Sequence, residues 1–156
     1  MATLRDARFP EEAPVVRDLL LEYQAHIGID LCFQGFPEEL ATLPGRYARP
    51  RGRFLLAMDG DRVAGCVGLR ALDPDTAEMK RLFVRPEARG ARIGRALAVA
   101  ILEEAREAGY QRVVLDTLAT MREAIGIYRS LGFVDIPPYD GHPVEGTVVL
   151  GVGVKK

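Results

Sequence analysis

A segment near the middle of the chain joins an apolar strand, a turn rich in arginine and an amphipathic helix. Leu82-Phe83-Val84 is followed by a turn over 85–92 and by a helical face made of Ile93, Ala96, Leu97, Ala100 and Ile101. The first N–H groups of a helix lack partners and lie at the positive end of its dipole. Four arginines, at 85, 89, 92 and 95, add positive charge beside them. The segment therefore predicts a strand–turn–helix unit whose turn binds phosphate or pyrophosphate.

The turn does not fit the common nucleotide-binding patterns. A Walker loop needs Gly-x4-Gly-Lys-Ser/Thr, and no lysine lies near this turn. A dinucleotide fingerprint needs G-x-G-x-x-G, whereas only Gly90 and Gly94 are present, at a different spacing. A glycine-containing turn flanked by solvated arginines is the alternative interpretation of the same residues.

Helix-like and strand-like patterns alternate around this unit. The turn Asp59-Gly60-Asp61 separates two apolar runs and predicts a β-hairpin over 54–58 and 63–69. Further strands are expected at 3–7, 78–84, 113–115 and 147–152, and helices from Pro10 and at 38–43, 93–108 and 124–131. The pattern favours an α+β protein, or a mixed α/β sheet. With 156 residues and no linker, a single domain over 1–156 is expected.

Charge and cysteine usage exclude several classes of function. The net charge is −1, which argues against nucleic acid or an anionic membrane as a partner. No apolar run reaches the length of a membrane span, and the N-terminus lacks the apolar region of a secretory signal. Cys32 and Cys66 are isolated, which fits a reducing cytoplasm, and neither histidine has a second ligand at metal spacing, so no metal is expected.

Two motifs in the second half of the chain resemble those of one enzyme family. Residues 89–97, Arg-Gly-Ala-Arg-Ile-Gly-Arg-Ala-Leu, are similar to the R/Q-x-x-G-x-G/A pyrophosphate loop of the GNAT superfamily of acetyl-CoA-dependent N-acyltransferases. Residues 124–133, Ala-Ile-Gly-Ile-Tyr-Arg-Ser-Leu-Gly-Phe, resemble its A-x-x-x-Y-x-x-x-G-F helix. The resemblance implies a GNAT-like fold, with a central, mostly antiparallel sheet of about six or seven strands flanked by about four helices.

The resemblance also implies which residues hold acetyl-CoA, the acyl donor. Backbone groups of the strand residues Leu82 and Val84 would contact the pantetheine arm, and Phe83 between them belongs to the same cofactor site. The pyrophosphate would be held by the loop residues Arg89, Gly90, Ala91, Arg92, Ile93, Gly94 and Arg95. Two positions depart from the family pattern. Arg92 stands where a glycine is usual, which leaves its φ angle in question, and Met121 stands where many relatives have an asparagine.

Transfer to an amine requires a free lone pair on nitrogen and a proton for the leaving sulfur. An alkyl ammonium has a pKa of about 10.4, so freeing its lone pair at pH 7 costs roughly 4.6 kcal/mol. By resemblance, Tyr128 would be the general acid, although periodicity alone makes it a core tyrosine. Glu78 matches a position where certain relatives have a general base. An edge-strand carboxylate paired with Lys80 or Arg81 is the alternative for Glu78, and Asp116 or water are the other candidate bases.

The sequence indicates the residues of the acceptor site less clearly than those of the donor site. Its candidate residues are polar or aromatic and lie mainly in loops: Tyr23, His26, Phe33, Gln34, Phe36, Tyr139 and His142. Residues 30–36 lack helical periodicity and are expected to cover the acceptor pocket. The resemblance implies acetyl transfer to a primary amine of a small molecule, by direct attack in a ternary complex. A protein lysine or N-terminal acetyltransferase and a non-catalytic acyl-CoA sensor are the alternatives, and a homodimer is compatible with each.

Overall fold

The computed structural model describes residues 2–28, 35–89, 92–139 and 145–154. Within these ranges the chain forms seven strands: β1 (Thr3–Asp6), β2 (Arg53–Asp59), β3 (Arg62–Ala71), β4 (Thr76–Val84), β5 (Arg112–Leu118), β6 (Val134–Asp135) and β7 (Thr147–Gly153). The same ranges contain four α-helices: α1 (Ala13–Ile27), α2 (Phe36–Ala41), α3 (Ile93–Glu107) and α4 (Arg122–Ser130). Two short 3-10 helices lie at Gly45–Tyr47 and Pro86–Ala88.

All seven strands belong to one sheet with the order β1-β2-β3-β4-β5-β7-β6, counted over the described residues. Each neighbouring pair is antiparallel except β4 and β5, which run parallel. These two strands pair from Thr76↔Arg112 to Glu78↔Val114 and then separate, while β4 continues to Val84. The sheet is therefore split between β4 and β5 over the second half of both strands.

The pairing of β3 with β4 is interrupted close to this split. Cys66 lies opposite Phe83, but Gly68 lies opposite Lys80, so Arg81 and Leu82 face a single residue of β3. This two-against-one arrangement is a β-bulge. Arg81 adopts a φ of 65°, in the left-handed region that a residue with a Cβ rarely enters.

Each face of the sheet carries its own apolar core. One core joins alternating residues of the central strands to α3 and α4, and includes Val67, Met79, Leu97 and Ile101. The other lies beneath α1 and α2, and includes Leu19, Phe36, Leu56 and Phe83. Because side chains alternate along a strand, a residue next to Ala77 or Met79 points away from α3 and toward the α1 side.

The predicted fold class is confirmed, with strand and helix numbers in the expected range. Several element bounds differ from those predicted by one to three residues, and three other details differ. Helix α1 begins at Ala13 rather than at Pro10, because the backbone before it forms turns in which Glu12 N–H donates to the carbonyl of Arg8 and Ala13 N–H to that of Pro10. The two-residue strand β6 was not predicted, because so short a run carries no periodicity. β4 is a central strand, not an edge strand.

Candidate active site

A groove of about 760 Å³ lies between the end of β4, the N-terminus of α3 and helix α4. We name it the donor groove, and its wall consists of His26, Leu82, Phe83, Val84, Arg89, Arg92, Ile93, Gly94, Arg95, Thr120, Met121, Arg122, Glu123, Ala124, Gly126, Ile127 and Ser130. It combines an apolar strand wall with the positive end of a fifteen-residue helix. Such a cavity fits a long ligand that is apolar at one end and anionic at the other.

Three arginines of the sequence motif line the donor groove, and two of them are held by other elements. Arg89 donates to the carbonyl of Val84 at 3.2 Å, and its guanidinium lies 3.0 Å from Nε2 of His26. Arg95 donates to the hydroxyl of Ser130 at 2.6 Å. These contacts hold cationic side chains along the wall before any ligand binds.

The sequence pattern groups Arg85 with the other arginines of the turn, but Arg85 is not part of the groove wall. Its guanidinium forms a two-pronged ion pair with Glu22 of α1, at 3.0 and 2.7 Å, and also donates to the carbonyl of Val63. The hydrogen bond with Glu22 is the largest cause that raises the pKa of Arg85 above its usual value, the charge of Glu22 adds to it, and burial of the side chain opposes both. Arg85 thus links the end of β4 to α1 instead of facing a phosphate.

Arg92 stands where the family pattern has a glycine, and the structure shows which φ angle it adopts there. It caps the N-terminus of α3 with a φ of 59° and a ψ of 25°, which is the left-handed conformation that glycine adopts freely. The backbone therefore keeps a glycine-like path even though the residue is arginine. An exposed guanidinium is added to the groove wall at this point.

The groove wall also contains residues that sequence reasoning missed. Thr120, Arg122 and Glu123 contribute to one side, and their spacing offered no signal because they meet β4 only through the tertiary structure. Met121 lies in the same wall, and His26 reaches it from the end of α1. His26 was a candidate for the acceptor site, but the structure places it in the donor groove, against the ring of Phe83 at 5.8 Å. The motif residues Gly90 and Ala91 lie outside the described residues.

Tyr128 lies on α4 directly after the wall residue Ile127 and is only 6% exposed. Its ring packs against Phe133 at 5.5 Å. Burial raises the pKa of Tyr128 well above its usual value, and Tyr23, from the opposite face of the sheet, raises it further. Tyr128 is therefore a protonated phenol at neutral pH, and a phenol can donate a hydrogen bond.

A group of charged and hydroxyl side chains lies on the α1 side of the same split. We name it the polar cluster: Arg70, Glu78, Lys80, Asp116 and Tyr139. Glu78 is 3% exposed and accepts from Arg70 Nε at 2.9 Å and from the Tyr139 hydroxyl at 2.6 Å. Lys80 Nζ lies 3.5 Å from Glu78 and 3.6 Å from Asp116. The cluster brings together the two candidate bases and one candidate acceptor residue.

Opposing effects determine the charge of these groups. Burial alone raises the pKa of Glu78, but Lys80, Arg70 and the Tyr139 hydroxyl hold it below its usual value. Burial lowers the pKa of Lys80, while Glu78 and Asp116 act in the opposite direction. Burial and the Glu78 charge raise the pKa of Tyr139 far above its usual value. Glu78 is thus a carboxylate at neutral pH, and a weak base.

The remaining acceptor candidates differ in their surroundings. Phe36 is 2% exposed and packs in the core, 5.1 Å from the guanidinium of Arg81, so it anchors α2. Tyr23 packs against Phe83 at 6.1 Å. Phe33, Gln34 and His142 lie outside the described residues.

Two features are absent from the described part of the chain. No helix there has the length and apolar character needed to cross a membrane. No group of three or more His, Cys, Asp or Glu side chains there is arranged to hold a metal ion.

Comparison with known proteins places this geometry in a family. The sequence profile of the Acetyltransferase (GNAT) family matches residues 16–133. An uncharacterised N-acetyltransferase of Schizosaccharomyces pombe is 36% identical over 151 residues, covering 96% of this chain and 93% of the relative. A GNAT-family acetyltransferase of Staphylococcus aureus has a similar fold, with a TM-score of 0.83 at 21% identity, covering 99% of this chain and 100% of the other.

A second solved structure was determined with a ligand. It is a putative acetyltransferase of Salmonella typhimurium in complex with its cofactor acetyl-CoA, with a TM-score of 0.74 at 17% identity, covering 100% of this chain and 95% of the other. The family profile, the relative that covers most of the chain and the similar folds agree with one another. The chain belongs to the acetyltransferase (GNAT) family and is an acyltransferase.

Proposed function

We propose that the protein transfers the acetyl group of acetyl-CoA to a primary amine of a small molecule, by direct attack in a ternary complex. Acetyl-CoA is the acyl donor of the family. The observation that carries the proposal is the donor groove, where three arginines and a helix N-terminus lie at one end and the split in the sheet lies toward the other. An anionic, elongated donor bound there would present its thioester at the split.

The residues present fit such a donor. Arg89, Arg92 and Arg95 supply permanent positive charge, and the amides at the start of α3, at Ile93 and Gly94, supply donors for the phosphates. Gly90 and Ala91 complete this loop in sequence. Along the strand wall, Leu82, Phe83 and Val84 lie beyond the point where β4 separates from β5. The strand edge that faces away from β3 is therefore proposed to pair with the amide groups of the pantetheine arm.

Tyr128 is proposed as the general acid. When the amine nitrogen bonds to the acetyl carbon, the carbon–sulfur bond breaks and the sulfur must receive a proton. The phenol of Tyr128 is buried beside the groove and stays protonated at neutral pH, because burial raises its pKa. It donates to the leaving sulfur and recovers its proton from solvent. Proton donation of this kind contributes about 10²- to 10⁴-fold to a rate.

Glu78 is proposed to receive the amine proton through water. Its charge attracts a substrate ammonium into the polar cluster, but its lowered pKa means that it does not retain the proton. Asp116 is 25% exposed and connects to Glu78 through Lys80, which provides a path toward solvent. Tyr139, whose hydroxyl donates a hydrogen bond to Glu78, is proposed to contact the substrate. Phe33, Gln34 and His142 are proposed as further substrate contacts on the basis of the sequence.

The burial of the polar cluster supports a small acceptor over a protein. The side chains of Glu78 and Lys80 are 4% and 6% exposed, so an amine must reach below the surface to meet them. A slender free amine can do this without displacing a helix, whereas a folded protein substrate needs an open groove for the flanking chain. A protein or peptide acceptor is the alternative that the experiment must separate.

The test is a screen of acceptors that measures thiol release from acetyl-CoA. Amino acids, polyamines and aminoglycosides form one set, and peptides with a free N-terminus or a lysine form the other. We expect saturable thiol release with at least one member of the first set, and calorimetric binding of acetyl-CoA in the absence of acceptor. Release with peptides alone would identify a protein acetyltransferase. Binding without release in either set would favour a non-catalytic sensor.

A further inference from the structure

Arg81 occupies a conformation that the local sequence does not favour. Its φ is 65°, within a buried central strand, and its side chain is 2% exposed. A residue with a Cβ is strained in this region, and such strain persists only when the surroundings impose it. A glycine here would form the bulge without strain. The presence of arginine implies that the side chain itself helps to set the backbone.

Glu39 of α2 provides the main contact of that side chain. Arg81 donates to it through Nε at 3.1 Å and through NH2 at 2.8 Å, a two-pronged pair of fixed geometry. The rings of Phe36 and Tyr23 lie 5.1 and 5.7 Å from the guanidinium. The thiol of Cys66 donates to the carbonyl of Arg81 at 3.4 Å and so also holds the bulge backbone.

Glu39 is itself fixed in position. The hydroxyl of Tyr47 donates to it at 2.8 Å, and Arg70 of the polar cluster lies 4.0 Å away. Its side chain is 8% exposed. Burial raises the pKa of Glu39, but Arg81 and Tyr47 outweigh this and hold it below its usual value. Glu39 is therefore a buried carboxylate that links α2 to the bulge.

The bulge lies at the inner end of the donor groove. Leu82, the next residue, is the first residue of β4 in the groove wall, and β5 has already separated from β4 at Glu78. From Val84 to Arg81 the strand covers about 10 Å, at 3.3 Å per residue. A donor with phosphates at the start of α3 extends along β4 in this direction, so its acyl end comes nearest to the bulge.

We propose that Glu39 is a positioning residue for acyl transfer, which acts through Arg81 by holding the β4 bulge in the shape that receives the acetyl end of the donor. This inference rests on the proposed binding of acetyl-CoA in the donor groove. It assigns no contact between Glu39 and the donor. Its consequence is that Glu39 affects recognition of the acetyl group more than recognition of the CoA portion, which binds at the other end.

The experiment compares the affinities of acetyl-CoA and CoA by calorimetry. Glu39→Gln keeps the size of the side chain but removes the charge opposite Arg81. We expect the preference for acetyl-CoA over CoA to change by about threefold or more, the effect of one hydrogen bond, with the Kd for CoA within about twofold of wild type. The control is Glu12→Gln, which breaks another two-pronged pair, of 2.8 and 2.7 Å, with Arg5 on β1 at the far edge of the sheet.

A milder variant keeps the proposal testable if Glu39→Gln does not fold. Tyr47→Phe removes only the hydroxyl that fixes Glu39, and it should move the same ratio in the same direction by a smaller factor. A purely structural role would weaken both ligands equally and leave the ratio unchanged, which would overturn the proposal. Failure of the wild type to bind acetyl-CoA would instead contradict the proposed function, so the two failures are distinguishable.

Discussion

Replacing Arg92 by glycine is expected to stabilise the fold and to weaken donor binding. Arg92 has a φ of 59° at the N-terminus of α3. The left-handed conformation costs a residue with a Cβ about 1–2 kcal/mol. Glycine removes this strain, but it also makes the unfolded chain more flexible, which destabilises the folded state by about 0.4–1 kcal/mol. The net stabilisation is about 1 kcal/mol, which raises the Tm of a domain of this length by about 2–4 °C.

The same change removes a cation from the donor groove. The guanidinium of Arg92 lines the groove and is exposed, so its contact with a phosphate is worth the lower part of the range for charged hydrogen bonds. A loss of about 1.4 kcal/mol corresponds to a tenfold higher Kd for acetyl-CoA. Thermal unfolding and calorimetry at low salt measure the two effects separately.

Arg92→Ala is the matched control, since it loses the same charge but keeps a Cβ in the left-handed conformation. The glycine and alanine variants should bind acetyl-CoA equally weakly, and the glycine variant should be more stable by about 1 kcal/mol. Equal melting temperatures for the two variants would refute the reasoning from strain. An unchanged Kd in both would show that Arg92 does not face the phosphates.

Three other perturbations follow from the structure. Tyr128→Phe should lower turnover about a hundredfold with little change in acetyl-CoA affinity. Steady-state kinetics and calorimetry measure the two quantities, and an unchanged turnover would show that Tyr128 is not the general acid. Hydrogen bonding from Arg5, opposed by burial, lowers the pKa of Glu12 from 4.5 to about 2. This pair contributes about 1 kcal/mol to the free energy of unfolding. The contribution is complete above pH 4.5 and disappears as the pH falls toward 2. Glu12→Gln should therefore destabilise the protein at pH 7 but not near pH 2. Burial raises the pKa of the Cys66 thiol to about 12. In a Cys32→Ser background, a thiol reagent should therefore react with Cys66 only as the protein unfolds. Rapid labelling of the native protein would contradict the buried placement of Cys66.

Local patterns predicted most of the elements. The turn at Asp59-Gly60-Asp61 joins β2 and β3 as expected, because an Asp-Gly turn and alternating apolar residues act over a few neighbouring positions. The apolar face of α3 and the glycine after it also depend only on nearby residues. The motif residues 82–84 and 92–95 lie together along the groove for the same reason, since they are continuous in the chain.

Contacts between distant segments were not predictable. Glu22 with Arg85, His26 with Arg89 and Glu39 with Arg81 each join an N-terminal helix to a residue at least 42 positions away. A single sequence contains no signal for such pairs, because many carboxylates and arginines are available and the choice depends on how the helices pack on the sheet.

The sequence by itself determined the order of the elements, the family and the arginine-rich turn, because each of them depends on residues that are adjacent or regularly spaced in the sequence. Only the tertiary structure decided which of those arginines face the groove, and that Arg92 keeps a glycine-like conformation at the start of α3. It alone revealed that β4 separates from β5 beside a strained bulge. The physical reason is that backbone strain, burial and ion pairing depend on residues that are distant in the sequence and that folding brings together.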